Sequence, residues 1–218
     1  MKAFENWESE EIELTFGLKR HRMTPDLKEW LNTRCEIPES IKNIVSRLQN
    51  NLIDHAEFWN EDEIKFLFIS PLVTLVDFSS ETYNCFTQRP MATTRKDVNN
   101  NDVLLKGRVE LVVAKGKQHP RVPFFFLHEY KTEKRRDNDP LGQLMAAMLV
   151  AQHQNADNQP LLGCYVVGRF WFFVYLKDND YAVSNAFDAT QEDIYQIYAI
   201  LSEAKRRIQE RVKVLAAG

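Results

Sequence analysis

The run Phe124-Phe125-Phe126-Leu127 constrains the fold of this 218-residue chain more than any other segment. Four consecutive apolar residues place hydrophobic side chains on both sides of a pleat, so the segment needs cover on both faces and reads as a central strand. His128-Glu129-Tyr130-Lys131 continues it. A helix is predicted from about Pro140 to Gln154, with proline accommodated in its first turn. Two more strands follow, Leu161 to Val167 and Arg169 to Leu176, joined by a tight turn at Gly168. Strand, helix and strand in that order imply a crossover connection, and hence an α/β fold with a central mixed sheet flanked by helices.

Upstream, Thr82 to Thr94 and Val103 to Ala114 are rich in β-branched and aromatic residues and read as strands, separated by the polar loop Arg95 to Asp102. A second polar turn, Lys115 to Val122, leads into the central strand. From Asp26 to His55 the pattern is helical, with Leu27, Trp30 and Leu31 on one face and Ile41, Ile44, Val45, Leu48 and Leu52 recurring at spacings of three and four. Asn60 followed by Glu61, Asp62 and Glu63 has the chemistry of a capped helix start, because asparagine accepts free amide hydrogens and acids suit the positive end of the dipole. That helix should run to Leu72 and kink or break near Pro71. Thr190 to Val214 carries a last helical stripe. With no internal repeat and no linker, the expected organisation is an N-terminal helical extension over 1–59 packed on a core over 60–218.

Composition excludes several classes. A hydrophobic fraction of 44% with 27% charged residues is that of a globular chain rather than a disordered or collagen-like one. The first twenty residues carry acids throughout and lack the apolar stretch of an export signal. No apolar run approaches the ~20 residues that cross a bilayer, so no membrane is expected. Three scattered cysteines fit neither a disulfide framework nor a zinc knuckle, and point to reduced thiols in the cytoplasm. A formal net charge of −3 lacks the excess of Lys and Arg that general polyanion binding uses, so any phosphate contact must be local.

Glu129 and Lys131 stand one residue apart on a predicted strand, and period-two alternation places both on one face. Charges directly after four apolar residues are costly to bury without a purpose. A second acid, Glu110, follows Gly107-Arg108-Val109 on the preceding strand, and antiparallel pairing would bring it beside Glu129. Two carboxylates converging with a lysine suit a hard divalent cation, which takes oxygen ligands. His128 should point to the opposite face and read as structural. Lys134, Arg135 and Arg136 follow Lys131 closely enough to flank a bound nucleic acid strand. Trp171, Phe172 and Phe173 are expected in the core.

Taken together, Gly107-Arg108-Val109-Glu110, then Glu129-Tyr130-Lys131, then Gln143 on the next helix resemble the PD-(D/E)XK nuclease superfamily. The stretches HEYKTE (128–133), DPLGQLMAAM (139–148) and GCYVVGRFWFF (163–173) are similar to uncharacterised bacterial proteins of that superfamily. The resemblance covers roughly Asn60 to Leu176 and implies a restriction-endonuclease-like core that hydrolyses DNA phosphodiesters in preference to RNA. Carried over residue by residue, Glu110 and Glu129 would bind Mg2+ or Mn2+, the Tyr130 carbonyl would complete the coordination, and Lys131 would position or activate the attacking water. Gln143 matches the helix glutamine of a subset of these nucleases, and Glu63 the acid of their N-terminal core helix. The first acid of the family is usually Asp, and Glu110 departs from it by one methylene. That departure keeps a second reading open, a degenerate nuclease fold that binds nucleic acid or a protein partner. A homodimer, or a partner docked through the N-terminal helices, is also left open.

Overall fold

The computed structural model describes residues 2–131 and 139–217, without the side chains of residues 128–131, 216 and 217. Among the described residues the strands are β1 (Lys19–His21), β2 (Tyr83–Lys96), β3 (Asp102–Lys115), β4 (Val122–Lys131), β5 (Leu161–Val167), β6 (Phe170–Lys177), β7 (Asp180–Val183) and β8 (Phe187–Asp188). They form one sheet in the order β1-β7-β6-β5-β4-β3-β2, with β8 added to β6. β4 lies in its interior, between β5 and β3, as four consecutive phenylalanine and leucine side chains demand: Phe125, Phe126 and Leu127 are fully buried and Phe124 nearly so. The sheet is mixed. β4 and β5 run parallel, with Phe125 beside Leu162 and Leu127 beside Cys164. The connection is α6 (Pro140–Asn155), capped by Asp139, whose carboxylate accepts from the Gly142 amide at 3.0 Å.

Helices cover both faces, so the molecule has three layers. On one face α6 packs with α1 (Ser9–Phe16) and a short 3-10 turn at Phe4–Asn6, burying Phe4, Trp7, Ile12, Leu144 and Met148 over Phe126 and Val174. On the other lie α2 (Pro25–Leu31), α3 (Glu39–His55), α4 (Glu61–Ile64), α5 (Ser70–Val76) and α7 (Asp193–Ala217). Their core includes Trp30, Leu52, Phe68, Ile197 and Leu201 over Phe125, Leu127 and Trp171. Trp30 also donates its indole N–H to the Ile200 carbonyl at 2.9 Å, which ties α2 to α7. Trp171 and Phe173 are fully buried, whereas Phe172 is half-buried and stacks on Tyr165 at 4.7 Å.

Residues 2–59 enter both helical layers and the sheet itself. Lys19, Arg20 and His21 pair in parallel with Asp180, Tyr181 and Ala182 and form the edge strand. Their side chains are exposed, as a charged edge allows, and His21 Nε2 meets the Asp180 carboxylate at 2.6 Å.

Between α4 and α5 the helix widens into a π turn at Lys65–Ile69, in which the Ser70 amide reaches back to the Lys65 carbonyl. Pro71 follows directly in α5. Its missing N–H interrupts the regular ladder, and the disturbance expected near this proline takes the form of the wide turn.

Candidate metal and phosphodiester site

The hairpin of β2 and β3 is 14 residues long on each side and changes character halfway. Thr87 pairs with Leu111 and Arg89 with Val109, but Gln88 and Glu110 between them do not pair regularly. Gln88 adopts φ 52°, a left-handed conformation that a residue with a Cβ takes at a cost. The sides of β3 show the result. Leu111 and Val113 belong to the core beneath α5 and α7, whereas Val109 and Val112 both belong to the core beneath α6. Strict alternation would put Val109 and Val112 on opposite faces, so the strand turns by one residue at Glu110–Leu111. Beyond this point the hairpin leans over α6, where Arg95 Nη1 donates to Gln152 Oε1 at 2.8 Å and Gln154 Nε2 to the Ala92 carbonyl at 3.3 Å.

The neighbouring strand is irregular at the same level. Leu111 pairs with Leu127 of β4, and continuing that antiparallel register sets Glu110 level with His128, one residue from Glu129. On its other side β4 shifts register against β5 between His128 and Tyr130. Unbroken alternation, the premise for placing Glu129 and Lys131 on one face, does not run through this stretch. A missing pair at Gln88 and Glu110 on one side, where β2 and β3 otherwise keep their register, and a register shift of β4 against β5 on the other form the kind of sheet irregularity that re-aims side chains beside active sites.

Of the two candidate strand carboxylates, Glu110 is the one whose side-chain surroundings are described. Its Oε2 accepts from Lys65 Nζ at 2.5 Å and from Gln88 Nε2 at 2.6 Å. The left-handed turn at Gln88 thus delivers a donor to Glu110, and the π turn delivers a cation. Lys65 and Glu110 are both partly buried, at 20% and 29% side-chain exposure, so the pair is shielded yet open to solvent. Arg108 adds a contact from its Nη1 to the Gln88 carbonyl at 3.2 Å.

Gln143 lies in the first turn of α6 and is 5% exposed. Its Nε2 is buried without a hydrogen-bond partner among the described residues. A buried amide left this way is destabilising and calls for a reason, such as a ligand atom it meets when one is bound. Glu63 has a local task. Its Oε2 accepts from the Asn60 amide at 2.7 Å while the Asn60 side chain accepts from the Glu63 amide at 3.0 Å, a complete capping box.

Glu129, Tyr130 and Lys131 occupy the last positions of β4, and their side chains lie outside the described residues, as do Lys134, Arg135 and Arg136 entirely. Among the described residues no three His, Cys, Asp or Glu side chains converge as a metal cluster. The donor types nevertheless fit a hard divalent cation: carboxylates from Glu110 and Glu129 and a peptide carbonyl at Tyr130 are all oxygen ligands. Glu110 fits in its surroundings as well, since its carboxylate is reachable from solvent and the donors Lys65 and Gln88 on its Oε2 are side chains that a cation can displace.

Lys65 and Gln88 did not stand out in the sequence. A lysine flanked by Ile64 and Phe66 reads as an ordinary polar position on a helix, and glutamine does not signal a left-handed residue as glycine or asparagine would. No protein-family model and no curated protein sequence matches this chain.

Proposed function

We propose that this chain is a metal-dependent nuclease of the PD-(D/E)XK type that hydrolyses phosphodiester bonds of DNA. The observation that carries the reading is the level of Glu110 beside the end of β4, where Glu129-Tyr130-Lys131 stand, with the Gln88–Glu110 pair missing from the β2–β3 ladder and β4 shifted against β5 there. Glu110, Glu129 and the Tyr130 carbonyl would hold Mg2+ or Mn2+. When bound, the cation supplies Lewis acidity at the phosphoryl oxygen and a lowered pKa for its water. Lys131 positions the attacking water and balances charge that develops on the phosphate. Gln143 uses its amide, which has no partner among the described residues, to hold a substrate or water oxygen. Lys134, Arg135 and Arg136 contact backbone phosphates, which reconciles nucleic acid binding with a net charge of −3. Glu63 belongs to the helix cap in this account. A cytoplasmic location, in keeping with free thiols at Cys35, Cys85 and Cys164, is part of the same proposal.

Among the described residues no helix is long and apolar enough to cross a membrane. A second reading draws support from Lys65: an ammonium already set on Glu110 does part of the neutralising work of a metal, as a degenerate site that binds without cutting would need.

Nicking of supercoiled plasmid separates the two readings. The nuclease reading expects cleavage with Mg2+ or Mn2+ that is lost with chelator and falls by about 10² or more in Glu129→Ala and Lys131→Ala. Tight, metal-independent DNA binding with no cleavage under any divalent ion would replace it with the degenerate reading. The same assay on RNA sets the substrate preference.

A further inference from the structure

Lys65 lies outside the ligand set assigned above, yet its Nζ is 2.5 Å from Glu110 Oε2, the oxygen that also receives Gln88 Nε2. The pair joins two elements far apart in sequence, a π turn in the helical layer and the irregular point of β3. Both features that create it are unusual. A π turn moves the following side chains around the helix axis relative to a regular α turn, and the local twist of β3 turns Glu110 out of its regular pleat. The arrangement brings the Lys65 ammonium onto the Glu110 carboxylate in a half-shielded place.

A carboxylate cannot present the same lone pairs at full strength to an ammonium and to a divalent ion. Like charges on the lysine and the metal also repel at such a separation. We infer that Lys65 is the resident counter-ion of this site: it neutralises and orients Glu110 while no metal is bound, and it must swing away for Glu110 to become a metal ligand. This inference rests on the nuclease reading, in which Glu110 binds metal. Lys65 is then a positioning residue that sets the metal affinity low and makes it dependent on what else the ammonium can bind. A substrate phosphate is the obvious new partner, so nucleic acid and metal should each strengthen binding of the other.

The test uses the full chain and Mn2+ alone, without nucleic acid, with free Mn2+ counted by its electron paramagnetic resonance signal. Removing the competing ammonium in Lys65→Met should lower the Mn2+ dissociation constant by about fivefold or more. Lys65→Gln, which keeps a donor on Glu110 without the charge, should show most of the same gain and guards against poor folding of the first variant. Lys205→Met removes a lysine that sits 3.8 Å from Asp77 elsewhere, and should leave the constant unchanged. If the native chain binds Mn2+ and both Lys65 variants bind it equally or more weakly, the counter-ion role is overturned while the metal site stands. If the native chain binds no Mn2+, the metal site itself fails, and the inference with it. A rise in affinity in Lys205→Met as large as in Lys65→Met would also overturn it, since the effect would then be one of net charge.

Discussion

Gln143→Met is the substitution that most sharply separates a structural glutamine from a functional one. Methionine nearly matches the length of glutamine, so the change removes the amide without opening a large cavity. Gln143 is 5% exposed, and its helix neighbours Leu141, Leu144 and Met145 are buried apolar residues. Its Nε2 is buried without a partner among the described residues, and such a group costs about 1–3 kcal/mol of stability. Replacing it with a thioether should return part of that, about 1–2 kcal/mol. For a chain of this size each kcal/mol moves Tm by about 2–4 °C, so the variant should melt roughly 2–8 °C above the native protein. Urea unfolding would give the same sign, with an unchanged m-value. Plasmid cleavage should fall by about tenfold or more, the worth of one hydrogen bond of about 1.4 kcal/mol in the transition state. A variant that is less stable than the native chain, or that cuts at the native rate, would refute the reasoning: the amide would then be a satisfied structural group, or one the reaction does not use.

Asn60→Ala removes one half of the capping box at the start of α4 and should cost about 0.5–2 kcal/mol by urea unfolding, with Glu63→Gln milder because a neutral amide still accepts from the Asn60 N–H. Gly107→Ala would place a Cβ 2.3 Å from Phe4 Cγ, so it should destabilise by about 1–3 kcal/mol, and trimming the ring with Phe4→Val should recover part of the loss. Burial pushes the Cys85 thiol up to about 11, from 9.0. A raised folded-state pKa means its contribution to stability is whole below pH 9 and is lost as pH rises towards 11. Denaturation midpoints measured from pH 8 to 11 should therefore fall, and Cys85→Ala should flatten that fall.

Much of the sheet was legible because its central residues have no alternative to burial. Phe124 to Leu127 lies in an interior strand, and the strand-helix-strand order around α6 gives the parallel step between β4 and β5. The helix cap at Asn60 was legible for the same kind of reason, since Asn and Glu three residues apart satisfy each other's amides. β1 was not, because Lys19, Arg20 and His21 have no buried face to leave a period-two trace, and they read as a basic cluster. Asp180 to Val183 is too short to signal a strand without its partner β6. At the site, the residue types of Glu110, Glu129 and Lys131 announced a chemistry, and the antiparallel pairing of β3 with β4 follows from the polar turn between them. The left-handed turn at Gln88, the missing pair at Glu110 and the register shift of β4 at Glu129 were invisible. They depend on how β2, β3 and β4 twist against α6, a long-range competition that no local pattern encodes. Lys65 was hidden for the same reason, because its role comes from the strand it faces.

The most direct measurement is anomalous diffraction from crystals of the chain soaked in Mn2+. The account predicts one strong peak within ligand distance, about 2.0–2.3 Å, of a Glu110 carboxylate oxygen, with Glu129 and the Tyr130 carbonyl completing the protein ligands and the Lys65 ammonium drawn away. Well-occupied Mn2+ elsewhere, with Lys65 still seated on Glu110 and no peak between β3 and the end of β4, would contradict it.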